Sequence, residues 1–338
     1  MSRGFDGFEI DDFRDSQWQS EPSSRCRESS RGRGSSSQTE ASVRIELAKL
    51  RETEFQSDHL DSQSRERPEA KRPSLSRDTR QADLLAQRER TEIRDCDRTY
   101  SLRPSEIHTL TEVGKFRVVA LADLANYAYS GNHSRMDSDF RSLIHQRLVE
   151  RRDTSVLKKE SQQVLTLTKE GKRLIRRHGF VLDEQAIYSG FVKPKEAVHD
   201  AALYRLYHKA ADEIERKGGK VLRVQLDYEL KEKLYRKLGR PQAQGEGQNQ
   251  QLKEAFAREL QLPVVHGKVS FPDLRIEYTT QEMEINRVDL ELATGHYHAG
   301  HLAEKARAGF QIYARSGDAP GLRRVRDDRE IITAILSL

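Results

Sequence analysis

Three carboxylates near the end of the chain have the spacing of a divalent-metal site. Asp273 follows a proline, and Asp289 and Glu291 stand two residues apart in the run Val288–Ala293. Side chains alternate along a strand, so Asp289 and Glu291 share a face if this run is a strand, and a hairpin would bring Asp273 beside them. Clustered carboxylates hold a hard cation such as Mg²⁺, which activates water for phosphodiester cleavage. The pattern therefore predicts a Mg²⁺ site formed by these three residues, and no cofactor outside this enzymatic case.

The order of these residues resembles that of the PD-(D/E)xK nucleases, with Pro272-Asp273 at the start of one strand and Glu291 in the next. The resemblance implies a lysine two residues after Glu291, where this chain has Ala293. Without an ammonium near the attacking water such folds often act as non-cleaving scaffolds, although Lys305 on the following helix could reach the site from another position. The enzymatic interpretation therefore uses Asp273, Asp289, Glu291 and Lys305. In the alternative, Asp273 starts a turn and the other two carboxylates are charges at a sheet edge.

Three histidines follow the second of these strands. His296, His298 and His301 fall within six residues, with Tyr297 among them. Imidazoles at this density bind transition metals, but the spacing matches no zinc signature. Glycines on both sides favour a loop at the end of a strand, where the imidazoles and Tyr297 would contact a phosphate or a base. Both interpretations remain open from the sequence.

The elements that must position these side chains form a regular series. Apolar periodicity predicts helices at 197–217, 227–238, 252–260 and 301–314, strands at 221–226, 269–278, 284–293 and 330–336, and a loop at 242–251. Their order is helix, strand, inserted helical segment, hairpin, helix, strand. This order resembles an α/β core of the restriction-endonuclease type, which places the fold in the mixed α/β (α+β) class.

A second chemistry, contact with nucleic acid, is indicated by a basic helix. The apolar positions of the predicted helix Arg135–Arg151 fall at spacings of three and four, which leaves its basic residues on the outer face. Alternating apolar residues at 156–157 and 164–167 predict a two-stranded ribbon with a polar tip. Thr168 can cap the next helix, with Gly171 in its first turn. Helix, turn, helix, ribbon, helix is the order of a winged helix.

The run Phe140–Val149, followed by Val164–Gly171, resembles the third helix and wing of bacterial winged-helix DNA-binding proteins, in which an LT-x-x-G turn closes the wing. The resemblance implies that the basic helix enters a major groove and that the wing tip reaches the neighbouring minor groove or backbone. The expected DNA contacts are made by Arg135, Arg141, His145, Arg147, Lys158 and Lys159. A winged helix used only for protein contacts is the alternative.

The composition limits how much of the chain folds. Hydrophobic residues make up 35% and charged residues 33% of the 338 residues, and the mean hydropathy is −0.83. Residues 1–97 have too little apolar surface to offset the entropy of ordering, so we expect a disordered, basic and Ser-rich tail. We expect a winged-helix domain at 98–180, a linker at 181–195, and an endonuclease-like α/β domain at 196–338 that need not be catalytic.

Charge and cysteine content narrow the class of protein. The net charge of +5 and the isoelectric point near 9.0 are compatible with a nucleic acid partner and also with simple solubility. Cys26 and Cys96 form no C-x-x-C pair, which argues against a disulfide framework and a cysteine zinc site. No apolar run is long enough to cross a bilayer, and the N-terminus lacks the apolar core of a signal peptide. We therefore expect a cytoplasmic protein with no membrane partner.

The arrangement over residues 98–338, with Pro272-Asp273 and the run Asp289–Thr294 after the winged part, resembles the replication-relaxation family of bacterial plasmids and mobile elements. The resemblance implies a protein that reads double-stranded DNA as an accessory or regulatory factor in replication, relaxation or transfer. A homodimer and other proteins of the mobile element are further expected partners. The competing hypothesis is a Mg²⁺-dependent DNA nickase or nuclease that uses Asp273, Asp289 and Glu291.

Overall fold

The computed structural model describes residues 90–154, 162–238, 246–294, 297–315, 317–328 and 335–338. These residues form a mixed α and β structure, as the sequence predicts. By contacts the chain divides into two compact units: residues 94–98 belong to one, and residues 99–338 belong to the other. Among the described residues, no helix combines the length and the apolar character needed to cross a bilayer. The expected tail lies outside the described residues up to residue 89.

Residues 90–177 combine four helices with short strands. The elements are β1 Thr91–Asp95, β2 Arg98–Leu102, α1 Pro104–Gly114, β3 Val119–Ala120, α2 Leu121–Ala128, α3 His133–His145, β4 Val149–Asp153, β5 Gln163–Leu167 and α4 Lys169–Arg177. Strands β3, β5 and β4 pair antiparallel in that order. Fully buried leucines from the four helices, Leu110, Leu124, Leu143 and Leu174, contribute to the core.

Helix α3 ends earlier than its apolar spacing predicts. The helix stops at His145, and Arg147 adopts a positive φ of 59°, which turns the chain. Leu148 N then donates to the carbonyl five residues earlier, and Val149 starts strand β4 rather than another helical turn. The predicted helix 135–151 is therefore wrong beyond His145. Leu148 and Val149 are buried as expected, but from a turn and a strand that happen to continue the helical spacing.

The hairpin after α3 uses a different first strand from the predicted one. Strand β4 pairs with β5 from Val149 opposite Leu167 to Asp153 opposite Gln163. The sequence of β4 has one apolar residue followed by four charged ones, and only that first residue is buried. It therefore lacks the apolar and polar alternation that predicts a strand. The predicted strand at 156–157 lies outside the described residues, as do Lys158 and Lys159 at the predicted tip.

The turn from the hairpin into α4 confirms the predicted cap. Thr168 Oγ1 accepts a hydrogen bond from Gly171 N at 3.0 Å, and Thr168 N donates to the Leu148 carbonyl at 3.0 Å. The same carbonyl lies so close to Gly171 that a Cβ at this position would overlap it. Close backbone approach therefore requires glycine at residue 171.

The remaining elements build a five-stranded sheet with helices around it. They are α5 Pro194–Arg216, β6 Lys220–Leu226, α6 Asp227–Leu238, α7 Glu246–Glu259, β7 Val264–Val265, β8 Lys268–Val269, β9 Leu274–Thr279, β10 Ile285–Ala293, α8 Ala299–Arg307, β11 Gln311–Ala314, α9 Ala319–Asp328 and β12 Ile335–Ser337. The strand order is β12-β11-β10-β9-β6. Strands β6, β9 and β10 pair antiparallel, and β10, β11 and β12 pair parallel.

Three further predicted elements, all after residue 240, differ from the structure. The predicted helix 301–314 is helical only to Arg307, because Gly309 takes a φ of 79° and the chain then enters β11, where Ile312 and Tyr313 are buried. The predicted loop 242–251 is helical from residue 246. The predicted strand 269–278 is interrupted before Asp273, and β9 begins at the next residue.

The two faces of the central sheet differ in polarity. Val224, Ile276 and Leu290 are buried on one face, and α5 packs against β6 and β9. The other face carries the polar row Gln225, Arg275 and Asp289, whose register places them side by side across three strands. Alternation along each strand thus separates an apolar face from a charged one that ends at Asp273 and Glu291.

Candidate functional site

Asp273 and Glu291 lie together where β9 begins and β10 ends. Asp273 Oδ2 accepts a hydrogen bond from Leu292 N at 2.8 Å, which ties the aspartate to the strand that carries Glu291. The Glu291 side chain is buried, and its Oε2 atom has no hydrogen-bond partner among the described residues. Two of the three predicted carboxylates are therefore brought together.

Lys305 supplies the ammonium that the strand lacks. Its Nζ lies 2.8 Å from Glu291 Oε1 and donates to the Phe271 carbonyl at 2.8 Å. Position 293, where the motif has lysine, is a fully buried alanine in an apolar cluster with Leu302 and Ile312. Ala293 packs against helix α8, and the ammonium of Lys305 reaches Glu291 from that helix.

Asp289 does not join this pair, contrary to the sequence-based prediction. Arg275 lies opposite Asp289 in the strand register and binds both of its carboxylate oxygens, at 2.6 and 2.9 Å. The same guanidinium also donates to the carbonyls of Leu260 and Gln261. Asp289 is therefore a structural counter-charge for a buried arginine, and we exclude it from the candidate metal ligands.

Helix α5 adds two residues that the sequence analysis missed. His199 Nε2 lies 3.4 Å from Asp273 Oδ2, and His199 Nδ1 lies 3.4 Å from Asp200 Oδ1. Burial lowers the pKa of His199, but its hydrogen bonds to the two aspartates outweigh burial and raise the pKa to about 10. The signal in the sequence was Asp200 itself, a carboxylate on the apolar stripe of the predicted helix between Ala197 and Leu203.

The loop after β10 contributes Tyr297. Its hydroxyl donates to Glu291 Oε1 at 2.5 Å, and its ring stacks on His301 at a centroid distance of 4.5 Å. His296 lies outside the described residues. Within the described ranges, no three His, Cys, Asp or Glu side chains converge to hold a metal by themselves. The predicted histidine cluster thus places an aromatic pair beside the carboxylates.

The two central carboxylates have different proton affinities. Burial, with the Asp273 charge adding to it and Lys305 opposing it, raises the pKa of Glu291 to about 7. Burial also acts to raise the pKa of Asp273, but the hydrogen bond and the charge of His199 outweigh it and lower that pKa. At neutral pH Asp273 is therefore ionised, whereas Glu291 is close to its point of half-protonation.

This donor set fits a small hard cation. Mg²⁺ is usually held by one or two carboxylates, with water and substrate phosphate oxygens completing its shell. Asp273 and Glu291 provide two carboxylates, and the buried Glu291 Oε2 has no hydrogen bond to give up. The fit therefore needs no third protein carboxylate.

No family model, curated protein or solved structure matches the chain. The chemistry of the site therefore rests on its own geometry.

The basic helix α3 exposes part of the predicted DNA-contact set. Arg141 and His145 are exposed one helical turn apart, and Arg147 is exposed in the turn that follows. Arg135 is only half-exposed and engages neighbouring groups. Lys158 and Lys159 lie outside the described residues. Three of the six predicted contact residues are thus exposed on α3 or in the turn that follows it.

A buried polar network holds α3 in position. Asp139, on the inner face of the helix, accepts hydrogen bonds from Arg103 Nη1 at 2.8 Å and from Ser105 Oγ at 2.6 Å. At the start of the helix, Asn132 Oδ1 accepts from Arg135 N and caps the first turn. The network ties α3 to the start of α1, which fixes the direction in which Arg141 and His145 point.

Proposed function

We propose that this chain is a double-stranded DNA-binding protein that nicks or cleaves DNA with a divalent cation. The observation that carries the proposal is the contact between Lys305 Nζ and Glu291 Oε1, at 2.8 Å. It completes a set of two carboxylates and one ammonium at the end of a sheet, although the linear motif lacks its lysine. This ranks cleavage above the non-cleaving role that Ala293 alone favours.

The DNA-binding half is proposed to be a winged helix. The order of three helices, a hairpin and a fourth helix in residues 104–177 supports this proposal. Helix α3 would enter a major groove with Arg141, His145 and Arg147. Arg135 lies in the first turn of the helix. The hairpin of β4 and β5 would carry Lys158 and Lys159 to the neighbouring backbone.

The second half is proposed to be a restriction-endonuclease-like core. Helix α5, the antiparallel strands β6, β9 and β10, the crossover helix α8 and the parallel strand β11 follow the order expected of such a core. The ligand pair for the cation would be Asp273 and Glu291. When bound, the cation would polarise the scissile phosphate and lower the pKa of an attacking water.

The side chains around this pair have separable roles in the proposal. Lys305 places a positive charge against Glu291 and toward the developing phosphate charge. Tyr297 orients Glu291 through its hydroxyl, and His199 orients Asp273. Because Glu291 has a raised pKa, it must lose a proton before it binds a cation, so cation binding at neutral pH should release protons.

Incubation of purified protein with supercoiled plasmid and Mg²⁺ tests the proposal. The wild type should convert supercoiled plasmid to the open-circular or linear form, and chelation of Mg²⁺ should stop the conversion. D273A and K305A should abolish it, while E282Q, which changes an exposed carboxylate, should not. Equal conversion by D273A and the wild type would refute cleavage at this site.

A non-cleaving DNA-binding protein is the second candidate, and one observation favours it. Glu291 is only 1% exposed, and both Lys305 and Tyr297 engage its Oε1 atom, so the pocket is closed around the carboxylate. In this case the chain would act as an accessory or regulatory factor in replication, relaxation or transfer of a mobile element, as the replication-relaxation resemblance implies. A salt-sensitive gel shift without any nicking would select this candidate.

A further inference from the structure

Helix α5 contacts strands β3 and β5 and the carboxylate of Asp273 within one helical turn. Ala201 is fully buried against Val118 and Ala120 at strand β3 and Val164 in β5. The two residues before it, His199 and Asp200, lead to Asp273. The same turn of helix therefore contacts both halves of the compact unit.

Arg117 lies at the centre of this junction. Its carbonyl accepts a hydrogen bond from Thr166 Oγ1 in β5 at 2.9 Å, so its backbone is fixed to the hairpin. Its guanidinium lies 3.1 Å from Asp200 Oδ2 and 3.5 Å from Glu196 Oε2, both on α5. The guanidinium carbon also lies 3.9 Å from the centre of the Tyr228 ring, which holds the side chain from its other side.

Arg117 is the counter-charge of Asp200, a carboxylate that is buried. Asp200 Oδ2 is buried and has no hydrogen-bond partner among the described residues, so the Arg117 charge compensates it. A buried carboxylate without a counter-charge is costly and reorients toward water. Asp200 in turn holds one nitrogen of His199, whose other nitrogen lies against Asp273. Three successive contacts thus connect Arg117 to the carboxylate that would hold the cation.

We propose that Arg117 is a positioning residue that connects the hairpin of β4 and β5 to the carboxylate centre, by orienting Asp273 through Asp200 and His199. The inference rests on the divalent-cation cleavage proposed above. It adds that the geometry of the cation site depends on a residue of the DNA-binding half that touches neither the cation nor, in this proposal, the DNA. Loss of Arg117 should therefore weaken cation binding and lower kcat, and leave DNA affinity unchanged.

The chain contains a matched control for this contact. Arg205, also on α5, binds both carboxylate oxygens of Asp123 in α2, at 3.2 and 3.1 Å. This ion pair likewise joins α5 to the DNA-binding half, but among the described residues no contact of Arg205 leads to Asp273. R205Q therefore removes a comparable ion pair without disturbing the chain of contacts to the site.

The experiment measures four quantities on full-length wild type, R117Q, R117K and R205Q. These are Mn²⁺ affinity by calorimetry, kcat and KM for plasmid nicking, and duplex affinity by anisotropy, with thermal unfolding as a check on folding. We expect R117Q to lower Mn²⁺ affinity and kcat by about 10- to 100-fold, the usual effect of losing an outer-shell partner. Duplex affinity and KM should change by less than a factor of about 2. R117K keeps the charge beside Asp200 and should recover most of both losses, and R205Q should match the wild type.

Three outcomes would overturn the inference, and each does so on different grounds. If the wild type binds Mn²⁺ and nicks plasmid, and R117Q does the same with equal affinity and kcat, Arg117 does not position the site, although cleavage stands. If the wild type neither binds Mn²⁺ nor nicks plasmid, the proposed cleavage fails and the inference fails with it. If R117Q does not fold, R117K decides: losses as large as those of a D273A variant, in a folded R117K, would also contradict a role that depends on charge.

Discussion

Lys305 Nζ lies 2.8 Å from Glu291 Oε1, although the lysine stands on α8 and the glutamate on β10. The linear motif has lysine where this chain has Ala293. Ala293 is the last residue of β10, and it packs against Leu302 of that same helix. Helix α8 therefore both closes off the strand position and delivers the ammonium. The Lys305 ammonium lies beside Glu291 because of how α8 packs on the sheet, and the linear motif alone does not predict this contact.

Moving the lysine back to the strand should fail. A293K places a long charged side chain in an apolar cluster, so we expect the free energy of unfolding to fall by about 1–3 kcal/mol from overpacking, with no rescue of K305A. Urea denaturation of A293K and nicking by A293K/K305A measure the two effects. Restored nicking by a stable double variant would mean that position 293 faces the carboxylates after all.

Asp289 should matter for stability and not for cleavage. D289N leaves the buried guanidinium of Arg275 without its counter-charge, and breaking such a pair costs about 3–5 kcal/mol. Urea denaturation measures the loss, and the apolar double variant R275M/D289L should recover only part of it, because the Leu260 and Gln261 carbonyls lose their donor. A D289N protein with wild-type stability and no nicking would instead indicate that Asp289 is a ligand of the cation.

Arg141 should govern which DNA sequences bind. If its guanidinium reads a base edge from α3, R141A should cost about 1–3 kcal/mol at one base position and relax the preference there. Asp137, exposed one turn earlier on the same helix, is the matched control, because D137N removes a negative charge and should strengthen binding to all duplexes. Anisotropy against single-base variants of a bound site measures both, and an unchanged base preference in R141A would place the major-groove contact elsewhere.

The predicted wing tip should contribute charge without base preference. Replacing Lys158 and Lys159 together by Ala should weaken binding to every duplex and lower the slope of log affinity against log salt concentration by about 2, since each phosphate contact contributes about 0.9. A salt titration of duplex binding gives the slope. Unchanged binding would count against the assignment of this hairpin as a wing.

Glu112 should make the protein sensitive to acid. Burial acts to raise its pKa, but Lys115, whose Nζ lies 2.5 Å from Glu112 Oε1, and nearby histidines outweigh burial and lower the pKa to about 2. A carboxylate with a lowered pKa stabilises the fold above its unfolded-state pKa, and this contribution is lost as pH falls through about 2. E112Q should therefore lose roughly 3 kcal/mol at pH 7, and the difference from wild type should shrink as pH falls below about 4.5. Urea denaturation across this range measures the difference, and a constant difference would refute the ionic contribution.

Local signals in the sequence were sufficient for most of the elements. The Thr168 cap and the buried face of α5 depend on residues within a few positions of each other, and both are as predicted. Two of the errors occurred where a turn interrupts a continuing apolar spacing. Arg147 and Gly309 take positive φ values, and Leu148 and Ile312 are buried from a turn and a strand instead of from a helix. Periodicity records burial but does not distinguish these cases.

The sequence by itself determined that Asp273, Glu291 and a basic helix are present, since residue type and alternation fix which side chains share a face. Only the tertiary structure decided their partners. Asp289 is neutralised by Arg275, Lys305 reaches Glu291 from a helix, and His199 arrives from α5, more than seventy residues before Asp273 in the chain. The reason is physical: a charge is stabilised by whatever counter-charge the folded chain brings within a few ångströms, and sequence separation does not enter that energy.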